Sequence, residues 1–144
     1  MPFDPVCPCP ELEQLSGAAP LRPLGRDWWM DAPGLDVLAA ACQMLAAHAR
    51  LITLSAQTGE GVETVVIYHY ALGSAVLHLK VSTAGGVLPS ITPVLPAASW
   101  IEREIMDLFA VTFIGHPEPG RLVRPAQLEP GFFRRPGGSA GARG

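Results

Sequence analysis

The spacing of apolar positions changes several times along the chain, and each change predicts an element. Residues 36–50, DVLAAACQMLAAHAR, place Val37, Leu38, Ala41, Met44, Leu45 and His48 at helical intervals in an Ala- and Leu-rich segment. The pattern predicts a buried amphipathic helix over about 36–49, with Cys42 as a small core residue and His48 near the C-terminal end of the dipole. Residues 51–56 turn β-branched and apolar until a Gly-containing break at 57–61. The runs VETVVIYHYAL and SAVLHLKVS meet at Leu72-Gly73-Ser74 and read as a hairpin. In the second run Leu77, Leu79 and Val81 line one face, and Val76, His78, Lys80 and Ser82 the other. His69 points away from Tyr68 and Tyr70, so it can meet His78 across the pair. No carboxylate close in sequence orients the two rings, and their face is expected to be solvated or covered by a partner. The segment VLPSITPVLPAA is too rich in proline for a central strand. After it, Ile101, Ile105, Leu108 and Phe109 return to helical spacing and predict a second helix over about 99–109, with Ser99 and Glu102 as a capping box.

One helix followed by consecutive strands, with no crossover helix between them, predicts an α+β fold with a small antiparallel sheet and two helices. Composition adds extended arms at both ends. Six prolines fall in residues 1–26, and five prolines with six glycines fall in 117–144. The expected organisation is a Pro-rich N-terminal arm at 1–29, one domain at 30–116 and a basic docking tail at 117–144. A hydrophobic content of 49% rules out a wholly disordered chain.

Charge separates body from tail. From residue 117 onward Arg121, Arg124, Arg134, Arg135 and Arg143 face only Glu118 and Glu129, which leaves +3 there and, given a total of −3, −6 before it. Arginines scattered among Pro and Gly suit forked hydrogen bonds to a protein's carboxylates and carbonyls, and aromatic interleaving for nucleic acid is confined to Phe132 and Phe133. Arg121, Arg124, Phe132, Arg134 and Arg135 are the expected anchors of this tail. Cys7, Cys9 and Cys42 form no disulfide-like framework, which favours a reducing compartment. Two thiols one residue apart, at Cys7 and Cys9, fall short of a closed metal site. No apolar run reaches the roughly 18–20 residues of a membrane span, so contact with a membrane is expected only through partners.

The candidate chemistry lies in SWIEREIMDLFAVTFIGHPEP, residues 99–119, where Glu102, Arg103, Glu104 and Asp107 crowd into one helix while charged residues make up only 16% of the chain. Trp100, Arg103, Glu104 and Asp107 gather off the core stripe. An exposed Arg103–Asp107 pair at i, i+4 stabilises by only about 0.3–0.5 kcal/mol, a weak reason for such a cluster. One alternative is a stand-alone metal-dependent enzyme using Glu104, Asp107 and His116. Another is a protein interface comprising Trp100, Glu102, Arg103, Glu104, Asp107 and His116 together with the tail anchors.

The run PAASWIEREIMDLFAVTFIGHPEPGRLV resembles the signature of the 30-kDa subunit of respiratory complex I, the C subunit of NADH-quinone oxidoreductase. It resembles equally the homologous small subunit or domain of membrane-bound [NiFe] hydrogenases of the formate hydrogenlyase type. The matching positions are Trp100, Glu102, Arg103, Glu104, Asp107, Phe109, Phe113, Gly115, His116, Pro117 and Arg121, and the likeness extends over about residues 35–124. Ala110 stands where the family places glycine after the phenylalanine, which argues against a left-handed helix end at that point. Gly120-Arg121 and the later Phe132-Phe133-Arg134-Arg135-Pro136 also depart from the respiratory pattern, and His-Pro-Glu-Pro leans toward the hydrogenase branch.

The resemblance implies an accessory subunit with no catalytic, cofactor or metal residues of its own. It implies docking on a large subunit, either 49-kDa-like or the [NiFe] hydrogenase large subunit, with Fe–S or NiFe centres held by partner subunits. It also implies a cytoplasmic location, peripheral on the inner face of the cell membrane through the complex, and no nucleic-acid partner.

Overall fold

A computed structural model describes residues 6–58, 63–83 and 85–118. Arg121, Arg124, Phe132, Arg134 and Arg135, and with them nearly all of the expected docking tail, lie outside the described residues. The chain runs through β1 (Arg22–Leu24), β2 (Asp27–Asp31), α1 (Val37–Ala46), β3 (Arg50–Thr58), β4 (Thr64–Leu72), β5 (Ala75–Ser82), β6 (Val87–Pro89), α2 (Ser99–Phe109) and β7 (Thr112–Ile114). The fold is α+β, as expected from the order of periodic segments.

The hairpin β4–β5 forms as its alternation dictates. Leu72 pairs with Ala75 around Gly73 and Ser74, and Gly73 takes the positive φ of 59° that so tight a turn requires. β3 pairs antiparallel with β4, with a bulge between Leu51 and Thr53. The sheet differs from the expected antiparallel one on its other side. Its order is β1-β2-β5-β4-β3, and β2 runs parallel to β5, so the five-stranded sheet is mixed. A second, two-stranded parallel pair joins β6 to β7. The lack of a crossover helix excludes parallel pairing only between consecutive strands, whereas the parallel connection leaves β2 through α1 and returns only after β3 and β4.

Residues read as an arm outside the domain contribute to its core. β2 alternates Trp28 and Met30 inward, and the preceding segment buries Cys9, Leu12 and Leu21 in the same hydrophobic cluster. The Glu13 carboxylate accepts a hydrogen bond from the Leu21 backbone N–H at 2.7 Å, closing this segment on itself. Proline density in this stretch therefore marks turns around buried side chains rather than an extended tether.

One face of the sheet carries Met30, Leu54, Val66, Tyr68, Tyr70, Leu77, Leu79 and Val81, all buried, and packs with Val37, Ala40, Ala41 and Met44 of α1 and Ile105 of α2. α1 begins at Asp36, whose side chain accepts from the Ala39 N–H at 3.0 Å as an N-cap. It ends with His48 at φ 59° and the Ala49 N–H bonded back to the Met44 carbonyl, a left-handed C-terminal turn. Cys42 is exposed, not a core residue, and lies between the outward-facing Leu38 and Leu45.

Candidate functional site

α2 is held from within by Glu102. This side chain is completely buried, and its carboxylate accepts from Ser90 Oγ at 2.6 Å, the Ile91 N–H at 2.8 Å and Thr92 Oγ1 at 2.7 Å. Donors converging on two oxygens suit an acceptor-only group, and they come from the Pro-rich connection after β6. Glu102 is thus neither a capping-box partner nor an outward interface residue. The helix starts after Ala98 with no side-chain cap, and Ser99 bonds elsewhere. Burial first, and the Glu102 charge second, push the Tyr68 and Tyr70 phenols well above their ordinary value.

His116 closes the same site from behind β7. Its Nδ1 accepts from the Glu118 N–H at 2.9 Å, which puts the ring proton on Nε2, where it is donated to the Ser99 carbonyl at 3.2 Å. Nε2 also lies 3.8 Å from Glu102 Oε1. The His-Pro segment thereby ties the end of β7 to the first turn of α2, and β7 itself is tied to β6.

The other positions of the motif divide by face. Trp100 is 68% exposed and Glu104 is exposed, whereas Asp107 is buried and Arg103 half-buried, with its guanidinium 3.8 Å from Glu118. Beside the outward face, between α2 and β3, runs a groove of about 410 Å³ lined by Thr53, Ser55, Ile101, Glu104, Leu108 and Phe109. Glu104, Asp107 and His116 do not come together as ligands, because they point into solvent, into the protein and toward Ser99 respectively. Among the described residues no three His, Cys, Asp or Glu side chains gather in a way that could hold a metal ion. The Cys7 and Cys9 thiols donate to Glu13 and Glu11, and burial first, with these carboxylates adding, raises both above the usual thiol range.

Sequence reasoning missed one constellation. His69 and His78 do meet, and the carboxylate that sequence proximity fails to supply is Asp27, which reaches His78 from β2 across the parallel pairing. Trp29, opposite His78 in register, stacks on its ring. The signal was the Asp-Trp-Trp-Met-Asp alternation, which reads as a strand once residues 27–31 are not assigned to an arm.

Among the described residues no helix is long and apolar enough to cross a membrane. Residues 35–135 match the family described as the respiratory-chain NADH dehydrogenase 30-kDa subunit. The C/D subunit of NADH-quinone oxidoreductase from Methylococcus capsulatus is 42% identical over 64 residues, covering 42% of this chain and 11% of that protein. The C subunit of the same enzyme from Caulobacter vibrioides is 41% identical over 61 residues, covering 40% of this chain and 31% of that one, so the match spans well under half of either relative. In fold, the chain is similar to a trypsin-resistant fragment of Nqo5, with a TM-score of 0.58 and 21% identity over 72% of this chain and 90% of that one. It is also similar to a chain of the membrane-bound sulfane sulfur reductase, an archaeal respiratory membrane complex, with a TM-score of 0.65 and 19% identity over 82% and 72% of the two chains. On the extent of the family match and the motif that lies inside it, the chain belongs to the 30-kDa subunit family of respiratory-chain NADH dehydrogenase.

Proposed function

We propose that the chain is an accessory subunit, without chemistry of its own, of a membrane-associated oxidoreductase related to complex I, of the NADH:quinone oxidoreductase or [NiFe] hydrogenase type. It docks on the large subunit through the outer face of α2 and the residues that follow β7. The observation that carries this reading is Trp100, a large aromatic left 68% exposed on a helix whose inner side is fixed by Glu102. Exposed aromatics on rigid elements are the side chains that most often dominate a protein contact, because they bury much area and lose little entropy. Glu104 and Arg103 flank it, and Arg121, Arg124, Phe132, Arg134 and Arg135 serve as further anchors. The partner subunits hold the Fe–S or NiFe centres, and the complex keeps this chain on the cytoplasmic face of the membrane.

The test is affinity purification of the whole complex from cells carrying the tagged full chain, with the large subunit quantified by mass spectrometry. Trp100→Ala is expected to lower recovery of the large subunit by about tenfold or more, with the melting temperature of the purified chain unchanged. Arg103→Ala is expected to reduce assembly more than it reduces the melting temperature. Full recovery of the large subunit with Trp100→Ala overturns the assignment of this face.

A further inference from the structure

Four strands bring four polar side chains into one row on the face of the sheet opposite Tyr68 and Leu79. Asp27 Oδ2 lies 3.0 Å from His78 Nε2, His78 Nδ1 lies 2.7 Å from His69 Nδ1, and His69 Nε2 lies 2.7 Å from Ser55 Oγ. The row therefore crosses β2, β5, β4 and β3 in sheet order.

Its proton positions follow from the atoms. The Asp27 carboxylate accepts, so the His78 proton sits on Nε2 and its Nδ1 is bare. Two Nδ1 atoms in hydrogen-bond contact share one proton, which then belongs to His69. His69 Nε2 is in turn bare and accepts from the Ser55 hydroxyl. With both rings neutral, every link is satisfied. A first added proton goes to His69 Nε2, where the Ser55 hydroxyl turns round to accept. A second must enter at His78 Nδ1, where it meets the N–H of His69, and the central link breaks.

We propose that Asp27–His78–His69–Ser55 is a pH-sensitive latch across the sheet, closed with at most one imidazole charged and opened at its centre when both are. Three further observations support it. Trp29 stacks on His78 at a centroid separation of 4.3 Å and holds the ring in place, and the His78 side chain is only 12% exposed. Burial first, and then repulsion between the two rings when both are charged, lowers the His69 pKa from its ordinary value, so the doubly charged row is disfavoured. The other charged groups near the row among the described residues include Lys80 and Asp31, which oppose each other in register, Arg22, which opposes Trp29 from β1, and Arg50, which pairs with Ala71 at the start of β3. Lys80 and Arg50 disfavour a second positive charge, while Asp31 lies beside Lys80 rather than against either ring.

The sign follows from proton counts. Unfolded, both imidazoles charge as the pH falls through about 6.5, whereas the closed row admits at most one added proton and a second breaks its central link, so the stability the row supplies is present above that value and lost below it. The full chain is unfolded in urea at a series of pH values, alongside His69→Gln and His48→Gln. The wild type is expected to lose up to about tenfold in its folded-to-unfolded ratio per pH unit below about 6.5. His69→Gln removes that dependence, because the N–H that opposes a second proton at the centre of the row is gone, and His48→Gln, at an exposed helix end, keeps it. An undiminished pH dependence in His69→Gln overturns the proposal. Nitrogen-15 NMR of the wild-type histidines decides independently if that variant does not fold. A proton on Nδ1 of His69 and on Nε2 of His78 at neutral pH supports the latch, and Nε2 protons on both rings overturn it.

Discussion

Changing one oxygen of Glu102 to an amide tests how the candidate docking helix is held. Glu102→Gln keeps the volume but replaces an acceptor by a donor among three groups that all donate, Ser90 Oγ, the Ile91 N–H and Thr92 Oγ1. At least one buried donor then loses its partner, at a cost of about 1–3 kcal/mol. The expected outcome is a lower urea midpoint in the isolated chain, together with weaker recovery of the large subunit, whereas Trp100→Ala affects recovery alone. Helical spacing identified which residues of α2 are charged but not where they point. The acceptors' partners lie in a Pro-rich connection that no periodicity links to the helix, and so a fixing residue read as an outward one. The same limit hid Asp27, which bonds to a histidine three strands later in the chain.

At the scale of elements, the end of α2 shows a fold accommodating a residue that resists it. Ala110 adopts φ 57° and ψ 32°, with its N–H bonded to the Met106 carbonyl, so the helix ends left-handed, contrary to the expectation drawn from an alanine at this position. A Cβ in that region costs roughly 1–2 kcal/mol, partly offset for glycine by its greater freedom when unfolded. Ala110→Gly is therefore expected to raise stability by about 0.5–1 kcal/mol, read as a higher urea midpoint with an unchanged slope. The turn is retained because Val111 and Phe113 beyond it are buried and β7 must pair with β6. Local signals were enough for α1, α2 and the β4–β5 hairpin, whose periods run long enough to exclude alternatives. They were not enough for β1, β6 and β7, each three residues long and defined only by a neighbour.

For the whole molecule, the N-terminal residues are part of the fold. Deleting residues 1–31 removes Leu12, Trp28 and Met30 from the core, and burial of a large apolar side chain stabilises by about 1.5–3 kcal/mol. It also uncovers the edge of β5. The truncated chain is expected to aggregate or to lose its cooperative unfolding transition, and a truncated protein as stable as the full chain would show that the segment is dispensable. The parallel pairing of β2 with β5 also sets an order in time. Trp28, Trp29 and Met30 leave the ribosome well before Val76 to Lys80, the strand they need. At about 5–20 residues per second, β2 waits several seconds for its neighbour. During synthesis the aromatic strand is therefore an apolar surface accessible to chaperones, and the sheet can be completed only after the β4–β5 hairpin has emerged.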